Sequence, residues 1–264
     1  MKYVAFLDIL GFKDRLKKMS QVEAREYIAS FSSLVYSEFS MSKRNLVNGY
    51  IVSDSIILYT NSNGEKELIE LINLVDSICK KEFAEKGILI RGAISKGDFD
   101  KFPAEELPHL QKELIVGQAY VDAYLMEGSV KTLGIVLSED VSADLRNCNM
   151  GENIVEEQND NTTQYVYRYL SVEFFMDEKN LQEYVRLAVE SSWLPHYYNT
   201  LYFTMKNEEN DKKVDSIFIN IIKILQDNYD WRTLDLFIKN SFGEKVFSRY
   251  QTRFLRYLRN NMLK

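Results

Sequence analysis

Two rhythms of hydrophobic positions divide the chain. Lys2–Leu7 is an apolar, β-prone run that stops at Asp8. A buried strand tolerates an acid only at an exposed end or beside a cation. Phe12–Met19 reads as a short helix. Ser20 and Glu23 fit a capping box for the next one, whose stripe of Val22, Tyr27, Phe31, Leu34 and Val35 runs to about Phe39. Leu46–Tyr59 holds two β-rich runs around Ser53-Asp54-Ser55, which predicts a hairpin with Asp54 at its turn. After the break at Asn63-Gly64, Glu65–Lys86 is an amphipathic helix with Leu68, Leu71, Ile72, Val75, Ile78 and Phe83 inward and Gly87 closing it. Ile88–Gly97 is an apolar strand interrupted by Arg91 and Lys96.

Asp98–Lys112 carries two of the three prolines and reads as a loop. Leu114–Val116 is a strand, Gly117 opens a helix to Glu127, and Leu133–Leu137 is another strand. Ser138 caps a short helix ending near Asn147, the acidic stretch Gly151–Gln164 reads as a loop, and Tyr165–Leu170 is a last strand. A hairpin in mid-order excludes a simple alternating βαβ series and predicts an α+β domain with a ferredoxin-like sheet. From about Glu178 helical stripes and aromatics dominate, interrupted by an acidic linker at Asn207–Asp211. The expected organisation is an α+β domain over 1–175 and a helical C-terminal extension over 176–264, either a cap on the sheet or a small appended module.

Composition narrows the chemistry. With 264 residues and 45% hydrophobic positions the chain can fill a core, and a net charge of −6 leaves no basic surplus for nucleic acid. Cys79 and Cys148 lie outside any CxxC pattern, and no signal-peptide pattern opens the chain, so reduced thiols in a cytoplasmic protein are expected. No apolar run approaches the ~18 residues of a membrane span. Two histidines supply neither a histidine metal cluster nor a Ser-His-Asp triad, which leaves Asp, Glu, Lys, Arg and Tyr to do chemistry.

If the first strand is central and the hairpin lies beside it, Asp8 and Asp54 reach the same edge of the sheet. Two converging carboxylates repel unless a cation sits between them, and hard oxygens suit Mg²⁺ or Mn²⁺ together with substrate phosphate. Two such ions about 3.5–4 Å apart serve in-line phosphoryl chemistry. The amides near Gly11 and Phe12, with the following helix dipole, would face a triphosphate. A single Asp at a strand end more often caps a helix or joins a salt bridge; the pairing is what brings a site into contention.

Other features read as structural. His109 is expected on a surface loop, and His196, after Trp193-Leu194-Pro195, in a packed interhelical turn. Asp98, Asp100, Glu105 and Glu106 are solvated loop charges. Trp193, Tyr197, Tyr198, Tyr202 and Phe203 form a core between helices. Arg249, Arg253, Arg256 and Arg259 share one helix face, read as solvated.

Four stretches in order resemble the class III nucleotide cyclases. Phe6-Leu7-Asp8-Ile9-Leu10-Gly11-Phe12 is similar to their first metal motif. Val52-Ser53-Asp54-Ser55 is similar to their second, with Ser53 where Gly is usual. Ile90–Gly97 resembles their next strand, and Gly117–Glu127 their Gly-led helix ending in Met-Glu. The resemblance covers about residues 1–140. It implies a class III cyclase catalytic core, a central mostly antiparallel sheet flanked by helices, that turns a nucleoside triphosphate into a 3′,5′-cyclic nucleotide and pyrophosphate. By it, Asp8, the Ile9 carbonyl and Asp54 would hold two Mn²⁺ or Mg²⁺ ions, and a head-to-tail homodimer would form composite active sites.

The departures carry information. The family's helix Asn and Arg are here Val121 and Leu125, and its purine-reading Lys is Tyr50. This altered set resembles the pyrimidine cyclases of bacterial anti-phage (Pycsar) systems, which implies UTP or CTP as substrate. The product would be cyclic UMP or cyclic CMP, acting on a separate effector. By this resemblance Tyr50 lines the base pocket, and Arg91 and Lys96 contact phosphate or transition-state charge. Each has a plain alternative: a hairpin core aromatic, a sheet-edge salt bridge and a solvated strand end. A purine cyclase, or a catalytically inactive cyclase-like binding module, remains the competing reading of the whole.

Overall fold

The computed structural model describes residues 1–41, 45–103, 113–159, 162–190, 194–206, 208–230 and 232. Its elements are β1 (Lys2–Ile9), α1 (Phe12–Leu16), α2 (Gln21–Met41), β2 (Val47–Val52), β3 (Ser55–Thr60), α3 (Glu65–Lys86), β4 (Ile90–Gly97), β5 (Asp100–Pro103), β6 (Glu113–Val116), α4 (Gln118–Glu127), β7 (Ile135–Leu137), α5 (Glu139–Asn147), β8 (Ile154–Asn159), β9 (Thr162–Tyr167), α6 (Val172–Met176), α7 (Glu178–Glu190), α8 (Leu194–Met205) and α9 (Asp211–Asn228). They form two compact units: Met1–Val130 with Gly134–Tyr169, and Lys131–Leu133 with Leu170–Lys264.

The first unit is built on a seven-stranded sheet in the order β2-β3-β1-β4-β7-β9-β8. Every pair is antiparallel except β4 with β7. β1 lies between β3 and β4 because both of its faces are apolar: Tyr3 to Leu7 are all buried. Val4 and Phe6 point to one face, where they pack with Ile57, Tyr59 and Phe99 against Ala119 and Ala123 of α4. Tyr3 points to the other, where its hydroxyl donates to Asp144 of α5 at 2.8 Å. The same face meets α3, whose Asp76 accepts from the Tyr167 hydroxyl at 3.2 Å. The capping box ahead of α2 forms in both directions: the Ser20 amide donates to Glu23 at 2.7 Å, and the Glu23 amide to Ser20 Oγ at 3.3 Å. Gly87 closes α3 in the left-handed conformation, and all six inward residues of that helix are buried.

Three local expectations change. β1 runs on to Ile9, so Asp8 lies within the strand with partners on both sides. Asp100–Pro103 is a strand paired with β6 in a separate two-stranded ribbon, not loop. Four residues with a proline among them carry too little alternation to mark a strand. The remainder, with Glu105, Glu106 and His109, lies outside the described residues. Gly151–Gln164 is not one loop either, for β8 and the start of β9 form an edge hairpin there. An edge strand with one solvated face has no need of apolar alternation and gains from charges that discourage further pairing.

The second unit is helical. Phe175 of α6, Leu181 and Tyr184 of α7, and Val214, Ile217 and Ile221 of α9 are buried. The Tyr184 hydroxyl donates to the Tyr197 carbonyl at 2.7 Å. His196 sits inside α8 and is buried, not in a turn. Tyr197 and Phe203 are core residues as expected, while Trp193 and the Arg249–Arg259 face lie outside the described residues. Among the described residues no helix is long and apolar enough to cross a membrane.

Candidate active site

The site begins with the β2–β3 turn. Val52 pairs with Ser55, so only Ser53 and Asp54 make the turn, and Ser53 adopts φ 58°. This left-handed conformation is the one glycine takes without strain, which explains the glycine usual in the resembling motif. The turn is fastened to β1, because the Ile9 amide donates to the Asp54 carbonyl at 3.2 Å.

Asp8 is flanked across the ladder by Ser55 on β3 and Arg91 on β4. Opposed residues share a face, so both side chains reach it. Ser55 Oγ donates to Asp8 Oδ1 at 3.2 Å, and Arg91 Nη2 lies 3.3 Å from Asp8 Oδ2. Arg91 Nε meets Glu127 Oε1, at the end of α4, at 2.5 Å. Burial, then the charge of Asp54, raises the pKa of Asp8, while Arg91 and Ser55 pull it down. Glu127 is raised by burial and by Asp8, against the pull of Arg91. Asp8 and Glu127 thus share the Arg91 guanidinium, with the charge of Asp54 added at Asp8, so that around Asp8 negative charge is in excess.

That excess fits a divalent cation. The donors are hard oxygens, and the charge of Asp54 lies close enough to disfavour that of Asp8. Among the described residues no three His, Cys, Asp or Glu side chains gather into a metal cage. Two carboxylates and a main-chain carbonyl still suit Mg²⁺ or Mn²⁺, which take remaining ligands from water and phosphate.

The other expected residues divide. Tyr50 shares the face of Asp8, since Tyr50 opposes Ile57 and Ile57 opposes Phe6. It is half-buried and stacks on Tyr59 with ring centres 5.8 Å apart, so it is both a hairpin aromatic and a surface beside the site. The Phe12 side chain is buried and stacked on Tyr27 at 6.0 Å, a core position, which leaves its main-chain amide as the group expected to face a triphosphate. The helix it opens, α1, has five residues, too few for the dipole assigned to it. Lys96 is not gathered with the rest. It lies five positions after Arg91, an odd offset that puts it on the opposite face, where its ammonium pairs with Asp144 at 2.7 Å and lies over the Tyr3 ring. Val121 and Leu125 are 44% and 65% exposed on α4, so they leave an apolar outer face where polar helpers were expected.

Three residues were not singled out from the sequence. Ser55 follows from the hairpin register. Glu127 continues the four-residue spacing of Ala119 and Ala123, which marks the inner face of α4 and was a usable signal. Lys101 fell in the supposed loop; on β5 its ammonium lies 5.6 Å from the Tyr50 ring centre and 5.9 Å from that of Tyr59. The phenols of Tyr59 and Tyr50 hold its pKa up.

No family model and no curated sequence matches the chain. Solved structures do. The guanylate cyclase domain of RhGC from Catenaria anguillulae, in complex with GTP, is 18% identical with a TM-score of 0.50, covering 62% of this chain and 94% of that one. The catalytic core of a rhodopsin-guanylyl cyclase with converted specificity, in complex with ATPalphaS, is 17% identical at 0.50, covering 63% and 94%. A bacterial light-regulated adenylyl cyclase is 12% identical at 0.50, covering 64% and 90%. The chain therefore has the α+β fold of class III cyclase catalytic cores, with its mostly antiparallel seven-stranded sheet flanked by helices.

Proposed function

We propose that the first unit is a metal-dependent nucleotide cyclase that prefers a pyrimidine triphosphate, UTP or CTP. The observation that carries the cyclase reading is the fastening of Asp54 to β1 beside Asp8, two acids on adjacent strands with surplus negative charge. In this reading Asp8, Asp54 and the Ile9 carbonyl hold two Mg²⁺ or Mn²⁺ ions. When bound, these supply Lewis-acid activation of the ribose 3′-hydroxyl and charge neutralisation at the triphosphate. The 3′-oxygen would attack the α-phosphorus, its proton passing to water, as the bond from the α-phosphorus to the bridging oxygen breaks and pyrophosphate leaves. Arg91, beside Asp8, meets charge developing on the phosphoryl oxygens.

The pyrimidine preference is supported by Tyr50 in place of a purine-reading lysine, stacked on Tyr59 and accompanied by Lys101. The exposed Val121, Tyr124 and Leu125 on α4 support a homodimer in which that face is covered. By the resemblance to anti-phage cyclases, the cyclic product would be a second messenger acting on a separate effector in a cytoplasmic response. A purine substrate is the second reading, favoured by the GTP and ATPalphaS held by the similar structures.

The test is to incubate the protein with each of the four ribonucleoside triphosphates and Mn²⁺ and to assay cyclic product, with Asp54→Ala as control. Cyclic UMP or cyclic CMP from the wild type alone is the expected result. Product from ATP or GTP only overturns the pyrimidine preference. No product from any, alike in wild type and Asp54→Ala, favours an inactive binding module.

A further inference from the structure

Two acids grip the Arg91 guanidinium at different atoms. Glu127 Oε1 lies 2.5 Å from Nε, and Asp8 Oδ2 lies 3.3 Å from Nη2. Their side chains are 11% and 20% exposed and that of Arg91 is 21%, so water does little to screen the cluster. Asp8 has no idle oxygen: Ser55 donates to Oδ1, and Arg91 stands at Oδ2. A cation that takes Asp8 at Oδ2 therefore displaces or crowds the guanidinium. The two contacts differ in kind: Nη2 donates a hydrogen bond to Asp8, whereas Nε and Glu127 Oε1, both buried, form a close ion pair without hydrogen-bond geometry and have no other hydrogen-bond partner among the described residues. Loosening the outer one leaves Arg91 tethered at Nε, with its terminal nitrogens free to turn.

We propose that Arg91 is the built-in counter-cation of the site, yielding Asp8 to an incoming divalent ion, and that Glu127 is the positioning residue that retains Arg91 when it yields. The inference rests on the two-metal reading above and extends it. Before the ion enters, Arg91 offsets the buried Asp8 carboxylate. Once Asp8 is taken, Arg91 holds to Glu127, and its outer nitrogens face the space beside Asp8 that substrate phosphate would fill. Without Glu127 the fork can pair with Asp8 through two nitrogens, the stronger arrangement, and it competes better with the ion.

The experiment is Mn²⁺ binding to nucleotide-free protein, followed by the electron paramagnetic resonance signal of free Mn²⁺. Thermal melting confirms that each isosteric or near-isosteric variant folds. Glu127→Gln is expected to weaken Mn²⁺ binding about tenfold, and Arg91→Gln to tighten it about tenfold. In the Arg91→Gln background, Glu127→Gln should change affinity less than about threefold, because Glu127 acts through Arg91. A purely structural ion pair predicts that both single changes weaken binding together, and that result overturns the proposal. Fully multiplicative effects would mean plain through-space charge and overturn the positioning role. If the wild type shows no saturable Mn²⁺ binding, the two-metal reading itself falls, an outcome distinct from normal wild-type binding that the variants leave unchanged.

Discussion

The main-chain amide of Ile9 donates to the carbonyl of Asp54 at 3.2 Å, so the residue following one acid is hydrogen-bonded to the other. A main-chain hydrogen bond thus preorganises the turn that carries Asp54 beside the strand that carries Asp8. Preorganisation of this kind conflicts with stability, because the charge of Asp54 makes that of Asp8 harder to bury.

Asp8→Asn is therefore expected to separate activity from stability. Cyclase activity should fall at least about a hundredfold, as for loss of a group that orients charge in the transition state. The melting temperature should hold or rise by a few degrees, since burial and Asp54 disfavour the Asp8 charge in the folded state. A loss above about 2 kcal/mol in denaturant titration would show instead that the Asp8–Arg91 pair sustains the fold.

Base preference should respond to Lys101. An ammonium donates to a carbonyl such as uracil O4 but meets the amino group of cytosine unfavourably. Lys101→Met should lower kcat/KM for UTP by about 10–100-fold, the range of a charged hydrogen bond, and change that for CTP far less. Tyr50→Phe keeps the ring stacked on Tyr59 and should leave KM within a few-fold, whereas Tyr50→Ala should raise it for every nucleotide used. Equal losses for both pyrimidines on Lys101→Met would remove Lys101 from base reading.

The turn at Ser53 offers a stability test. Its φ of 58° is uncomfortable for a residue with a Cβ, by about 1 kcal/mol. Ser53→Gly should be stabilising by about 0.5 kcal/mol after the larger entropy of glycine in the unfolded chain is set against it. Ser53→Val should be destabilising by more than about 1 kcal/mol. Gly92 on β4 is fixed by space: an added Cβ would overlap the Phe6 carbonyl oxygen and the Leu7 side chain on β1. Gly92→Ala should cost about 1–3 kcal/mol and disturb Arg91 beside it. Urea titrations of the three variants measure all of this.

Glu82, on α3, gives the fold a pH dependence away from the site. Its side chain is fully buried beside Lys86, and burial outweighs that partner and pushes its pKa up to about 7. A raised acid pKa means the folded state favours the protonated form. The stabilising contribution is complete below about pH 4.5, the unfolded value, and is lost as pH rises through 7. Its size is on the order of 1–3 kcal/mol. Glu82→Gln should be the more stable protein at pH 8 and should flatten the fall between pH 5 and 8 in thermal melts. An unchanged profile would mean that Lys86 already balances the charge.

The outer face of α4 should control assembly. Leu125, 65% exposed, is apolar without being needed in the core. Leu125→Glu should leave the melting temperature of the fold nearly unchanged while converting a dimer to monomer by sedimentation, with loss of activity if the active site is composite.

The sequence by itself determined the parts whose signals are local. The apolar run ending at Asp8, the Ser20–Glu23 capping box, the stripe of α3 with Gly87 behind it, and the turn at Asp54 all depend on near neighbours and were legible. So was the α+β order that puts a hairpin beside the first strand. Only tertiary structure decided what depends on register and face. Strand periodicity says that Arg91 and Lys96 point opposite ways, but strand pairing had to place Arg91 against Asp8 and Lys96 against Asp144. Glu127 lies 119 positions from Asp8 in the chain and meets it only because α4 folds over that face of the sheet. The β8–β9 hairpin was hidden because a half-solvated edge needs few apolar residues, and the β5 strand because four residues with a proline among them carry too little alternation. Periodicity is a property of a segment, whereas the charge balance around Asp8 belongs to three elements brought together by burial.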